Sequence, residues 1–197
     1  TPELQSEDRI GSDPLPPGQV WTASPGGEDE HAGLCRIEVK SGPGSGVRVL
    51  NQPTPQAFKE SVRYAEQNLY SQSDGLVGRD REPREHSFSV QLRTFDAAKS
   101  GADVGVAVLL ALCSSLIEQS LEGGLVVVGA LNLGGSIDPV HNAVDLTELA
   151  AEHGAKHVLM PVSAREQLFK LPDEVATEVS VQYYSDVTDA LFKGLAD

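Results

Sequence analysis

Residues 99–119 read KSGADVGVAVLLALCSSLIEQ. Small residues crowd around one acid, Asp103, and an apolar run follows from Val106 to Ile117. A stretch this apolar on every side predicts a helix sunk in a core rather than laid on a surface. We place that helix at about residues 103–119. Its opening admits two roles for the acid: a glycine-flanked helix start can present a reactive group, or the acid can simply cap it. Aspartate is among the strongest N-cap residues, worth ~0.5–2 kcal/mol against alanine, and its charge complements the helix N-terminus. Capping predicts that the Asp103 carboxylate fills the free N–H groups of the helix start, the same groups that would otherwise hold an oxyanion.

Outward from this segment the pattern alternates. HSFSVQL (86–92) has the period of a strand, and SQSDGLVGRDREPRE (71–85) before it has no apolar period and reads as a loop. Residues 53–70 predict a helix, with Ala57, Val62, Ala65 and Leu69 near helical spacing and prolines at its start. GQVWTASP (18–25), LCRIEVKS (34–41) and GVRVLN (46–51) predict three strands between Gly/Pro turns. Residues 1–17, TPELQSEDRIGSDPLPP, are too polar to bury much apolar area and are expected to be a flexible linker.

On the other side, LVVVGALNL (125–133) predicts a buried strand, and ALNLGGSI (130–137) turns back as a hairpin through Gly134 and Gly135. NAVDLTELAAEH (142–153) is an amphipathic helix with Gly154 where a left-handed C-terminal cap belongs. KHVLMP (156–161) and VSVQYY (179–184) read as strands and SAREQLFK (163–170) as a short helix. DVTDALFKGL (186–195) is a final helix capped by Asp186. Strands first, then alternating helices and strands, predict an α/β (α+β) domain with a mixed sheet and flanking helices over residues 18–197.

The chain has 197 residues, is 40% hydrophobic and carries a net charge of −14. That charge argues against a general phosphate-binding surface. Arg79, Arg81 and Arg84 alternate with Asp80, Glu82 and Glu85, as on a solvated mixed-charge loop. Cys35 and Cys113 form neither a disulfide framework nor a zinc spacing. With no long apolar span and no secretory leader, a cytoplasmic home and no membrane partner are expected. A sequence that opens on Thr1 is expected to be one module of something longer. His153 and His157 are four apart, but Gly154 breaks the helical face a zinc pair needs; His31, His86 and His141 are scattered. SGPGSGV (41–47) lacks the lysine and hydroxyl residue of a phosphate loop.

Several of these motifs together resemble one family. Residues 18–65 are similar to the opening of the Lon protease proteolytic domain: a strand enters a GG turn, an IEV strand follows, and the next helix carries KES. Residues 99–105 fall on its nucleophile motif, PKDGPSAG, with Lys99, Gly101 and Gly105 matching. VGALNLGGSIDPV (128–140) falls on TGEITLRGRVLPI, matching at Gly129, Leu133, Gly135 and Pro139, with Leu131 opposite a similar isoleucine. HGAKHVLMP (153–161) falls on AGIKTVLIP, matching at Gly154, Lys156, Val158, Leu159 and Pro161. The resemblance covers roughly residues 18–195. VQYYSDVTDALFKGL (181–195) and the ALCSSL helix (111–116) are similar, more specifically, to the Lon-related protein of BREX phage-defence systems.

The resemblance implies a ribosomal-protein-like α/β fold and a serine–lysine peptidase. A serine hydroxyl needs a base to accept its proton, and a lysine serves only if burial lowers its pKa. Here the family's serine falls on Asp103, its lysine on Val144, and the glutamate of its GE pair on Ala130. A carboxylate is a weak nucleophile toward amides, and as a water-activating base it wants a second acid, for which Asp138 and Asp145 are the nearest candidates. Lys99 and Ser100, adjacent in sequence, would point to opposite faces of a strand. The expectation is a catalytically silent domain of a ring homo-oligomer, implied to be hexameric. An N-terminal AAA+ ATPase region of the same protein is implied to hold ATP and magnesium, this domain needing no cofactor or metal. A BREX assignment implies phage defence, with DNA met only through regions outside this chain. Two alternatives stand beside it: a working peptidase that acts on a protein substrate through rearranged residues, and a peptidase silenced by an engineered Asp103.

Overall fold

The computed structural model describes residues 9–96 and 98–197. Alternation along its central strands sorts side chains onto two cores, as the period of two requires. Strand β1 (Gln19–Ser24) gives Val20 to one core and Trp21 and Ala23 to the other. Strand β2 (Gly33–Pro43) sends Cys35, Ile37 and Val39 to the first and Leu34 to the second. The same division recurs in β5 (Leu125–Val127), where Leu125 and Val127 oppose Val126. In β8 (His157–Pro161), Leu159 opposes Val158 and Met160. A sheet apolar on both faces must be covered on both.

With β3 (Gly46–Val49), β4 (His86–Thr94) and β9 (Ser180–Tyr184), these strands form one seven-stranded sheet in the order β3-β4-β2-β1-β5-β8-β9. The β4-β2-β1 centre is antiparallel, and β1, β5, β8 and β9 run parallel. This is the mixed α/β sheet expected from the sequence. On one face lie α1 (Gln56–Ser71), α3 (Gly105–Ile117) and α6 (Val187–Gly194). Every residue of α3 from Gly105 to Leu116 is buried, which is why its sequence shows no polar stripe. On the other face lies α4 (Ala143–Glu152), which buries Ala143, Leu146 and Ala150. The short hairpin of β6 (Ala130–Leu131) and β7 (Ile137–Asp138) stands apart from the main sheet.

Three features differ from the expectation. Residues 71–85 are not merely a loop: α2 (Ser73–Val77) buries Leu76 and Val77, and Pro83–Glu85 forms a 3-10 turn. Leu76 and Val77 are adjacent and Pro83 is the only other apolar residue buried there, too few to create a period. Val162–Lys170 forms the short helix expected there, with 3-10 geometry. Helix α5 (Asp173–Glu178) has no buried residue and so left no apolar pattern to read. The long strand over 125–133 breaks at Gly129, where β5 gives way to the hairpin. As for the leader, residues 1–8 lie outside the described residues. Ile10, however, is buried in the second core, and its N–H donates to the His153 carbonyl at 2.8 Å.

Candidate functional site

Strands β1 and β5 are parallel neighbours, with Trp21 opposite Val126 and Thr22 opposite Val127. Their C-terminal ends therefore open side by side, the usual place for a site in a parallel sheet. A cavity of about 260 Å³ lies there, lined by Pro25 beyond β1, Val128, Gly129 and Ala130 beyond β5, and Pro139, Val140, His141, Asn142 and Leu146 around the start of α4. Asp103 completes the wall.

The loop carrying Asp103 is tied down by its backbone. Ser24 Oγ donates to the Ala102 carbonyl at 2.7 Å and accepts the Gly26 N–H at 3.1 Å. The Val104 N–H reaches Ser61 Oγ at 3.4 Å, and the Val106 N–H reaches the Gly129 carbonyl at 3.3 Å. Gly101 has φ 61°, and a Cβ there would sit 2.6 Å from Leu92 Cδ2 and 3.1 Å from Phe58 Cδ1. Only glycine meets both demands without strain.

Asp103 does not cap the helix. The helix starts at Gly105, and its capping position is Val104, with no side-chain cap bond. Asp103 stands further out at φ 57°, the left-handed region that aspartate tolerates better than most residues. Its carboxylate has no hydrogen-bond or ion-pair partner among the described residues. Two N–H groups at the helix start are occupied, but by Ser61 and Gly129. Partial desolvation, with nearby Asp138 and Glu60, holds the Asp103 carboxyl above its ordinary range.

The other predicted residues fall as follows. Ala130 lines the cavity beside Asp103, whereas Val144 is half-buried against the second core and is not among the lining residues. Asn142 and Leu146 on either side of it are. Asp138 accepts from Asn132 Nδ2 at 3.1 Å, and Asp145 is exposed on α4 away from the cavity. Lys99 and Ser100 lie in a turn, not a strand, and Ser100 Oγ donates to Glu30 Oε1 at 2.6 Å. His153 Nδ1 is 2.9 Å from the Leu149 carbonyl and His157 Nε2 3.1 Å from Glu122, so the two serve different partners. Burial pushes the thiols of Cys35 and Cys113 up to about 12, which removes both as neutral-pH nucleophiles.

Two residues had no role in the sequence reading. Ser61 sits in the KES motif, so that motif's position was the available signal. Glu30 has no such mark. Its carboxylate accepts Ser100 Oγ–H, the Gly27 N–H at 2.8 Å and the Ser100 N–H at 3.2 Å, pinning the turn after β1 to the loop that carries Asp103. These bonds, led by that from Ser100, hold Glu30 below the ordinary glutamate range. A depressed carboxyl contributes stability that is present above its unfolded pKa of about 4.3 and lost as pH falls through the folded value. Glu30→Gln should therefore lower the melting temperature at pH 7 and leave it almost unchanged near pH 3. An equal loss at both values would mean that Glu30 acts by packing alone.

A mixed α/β sheet with its cavity beyond two parallel strand ends, walled by a buried helix's leading loop, defines an α/β domain with a pocket at the carboxyl edge of its parallel strands. The chain belongs to the Lon protease C-terminal proteolytic domain family, whose model matches residues 3–197. It is 30% identical to the Lon-like protease BrxL of Escherichia coli over 98% of its own length, and 21% identical to the Lon-like protease BrxL of Bacillus cereus over 91%. Identity to the Lon protease of Phenylobacterium zucineum is 25% over 90%. The chain spans 28%, 26% and 22% of these proteins, about a quarter of their length. Among the described residues no helix is long and apolar enough to cross a membrane.

Proposed function

We propose that this is a Lon-type proteolytic domain that has lost peptide hydrolysis and serves a larger protein as an assembly and interaction module. One observation carries the reading. Asp103, on which the family's nucleophile motif falls, lines the cavity, and no lysine or arginine is among the cavity's lining residues. A serine–lysine mechanism needs a hydroxyl and a neutral amine in one site, and with Val144 at the lysine position neither is supplied. The intact loop anchors from Ser24, Ser61 and Gly129 fit a fold kept for its shape. Similarity to BrxL supports a place in BREX phage defence, within a ring of copies bearing an ATPase region outside this chain, where ATP and magnesium would act. A cytoplasmic site goes with that reading.

The test is hydrolysis of casein and a fluorogenic peptide by the unmodified protein, by Asp103→Ala and by the double change Asp103→Ser with Val144→Lys. Neither the unmodified protein nor Asp103→Ala is expected to cleave either substrate. Cleavage that disappears in Asp103→Ala would overturn the proposal. The alternative, a peptidase with rearranged residues, is favoured by the names of the relatives, which are proteases. Light scattering tests assembly separately: a strict monomer at high concentration counts against the module reading.

A further inference from the structure

The cavity is apolar at its floor, and its rim carries Asp103 and His141 beside Pro139. Val128 and Leu146 are 2% and 0% exposed, while Asp103 and His141 are exposed. The rim carboxylate has no partner among the described residues, and the acids nearest it, Asp138 and Glu60, add negative potential. We infer that the cavity binds the free N-terminus of a polypeptide whose first residue is apolar, its α-ammonium on Asp103 and its first side chain on the floor. This rests on the reading of the site as one that binds without cleaving.

The distribution of polarity selects this occupant. A lysine side chain entering from solvent would carry its ammonium onto the apolar floor and leave Asp103 unpaired, which costs desolvation with no compensating bond. An anionic group, including the carboxyl terminus of a polypeptide, would meet the Asp103 carboxylate. A volume of about 260 Å³ is that of roughly nine waters, enough for one apolar side chain and the start of its backbone. The α-ammonium titrates near ~8 and suits a carboxylate already partly stripped of water, because pairing restores what burial removed. Ammonium binding then returns the Asp103 carboxyl toward its ordinary range. Affinity falls in acid, where Asp103 gains its proton, and falls again above about pH 8, where the amine loses its own.

The probe is the tripeptide Leu-Ala-Ala-amide, compared with its N-acetylated form, with N-acetyl-lysine-amide and with butylamine. Binding is read by calorimetry and by the amide resonances of Gly129 and Ala130. Saturable binding of the free tripeptide is expected, about tenfold tighter than that of the acetylated one, or ~1.4 kcal/mol. Asp103→Asn keeps the side chain's shape and tolerates the same φ, so it should abolish that preference while circular dichroism stays unchanged. Equal binding of the acetylated peptide, a preference that survives Asp103→Asn, or no saturation at millimolar peptide overturns the inference. Tighter binding of N-acetyl-lysine-amide, or butylamine matching the tripeptide, also overturns the assignment to a polypeptide terminus. Chromatography of the same samples separates the two readings. Release of free leucine overturns the silent domain, whereas peptide left intact and unbound overturns only the terminus site.

Discussion

Gly129→Ala is expected to destabilise the fold by about 3–5 kcal/mol, the sum of overpacking and a broken buried hydrogen bond. A Cβ at this position would lie 1.9 Å from Tyr184 Oη and 3.0 Å from Val106 Cγ2. Neither neighbour can yield cheaply. Tyr184 is 1% exposed, and its hydroxyl donates to the Val128 carbonyl at 2.7 Å. Burial holds its phenol far above the usual range, so it remains a neutral donor at any physiological pH. Making room means swinging the ring away and orphaning the Val128 carbonyl where β5 ends. Urea denaturation measures the loss, and an unchanged midpoint would refute the packing argument. Removing the hydroxyl with Tyr184→Phe should make the combined loss smaller than the sum of the single losses, as expected for residues in contact.

Phe58→Ala is expected to cost about 3–5 kcal/mol, as for other buried aromatic truncations. Phe58 is fully buried on α1, and its ring and Cβ lie directly beneath Gly101. The cavity left behind would open under the loop that carries Asp103. Amide exchange over residues 100–106 should therefore quicken more than exchange in β8, toward the other edge of the sheet. A uniform increase would show that the loss is global rather than centred on the loop.

The sheet and the long helices were legible because burial imposes periods that a reader can count. The alternation of Val20, Trp21 and Ala23, or of Leu34 and Cys35, is the two-faced sheet written directly in the residue order. The features that escaped detection lack such a period. Helix α5 buries nothing, and α2 buries only Leu76 and Val77. The position of Asp103 could be found by motif, but its role as a helix cap could not stand. Capping depends on φ and on which residue precedes the first helical turn, and the helix begins two residues later than its sequence suggests. The Glu30 clamp was out of reach for another reason: its partner Ser100 is seventy positions away, and no local pattern announces such a pairing.

Because β1 and β5 deal alternate residues to opposite cores, the cavity at their ends touches both halves of the molecule. Gly129 packs against Val106 of α3 on one side, and Leu146 of α4 belongs to the other. Whatever fills the space braces the two layers directly. The space beyond the ends of β1 and β5 is thus a mechanical junction, where an occupant felt by one layer is felt by the other.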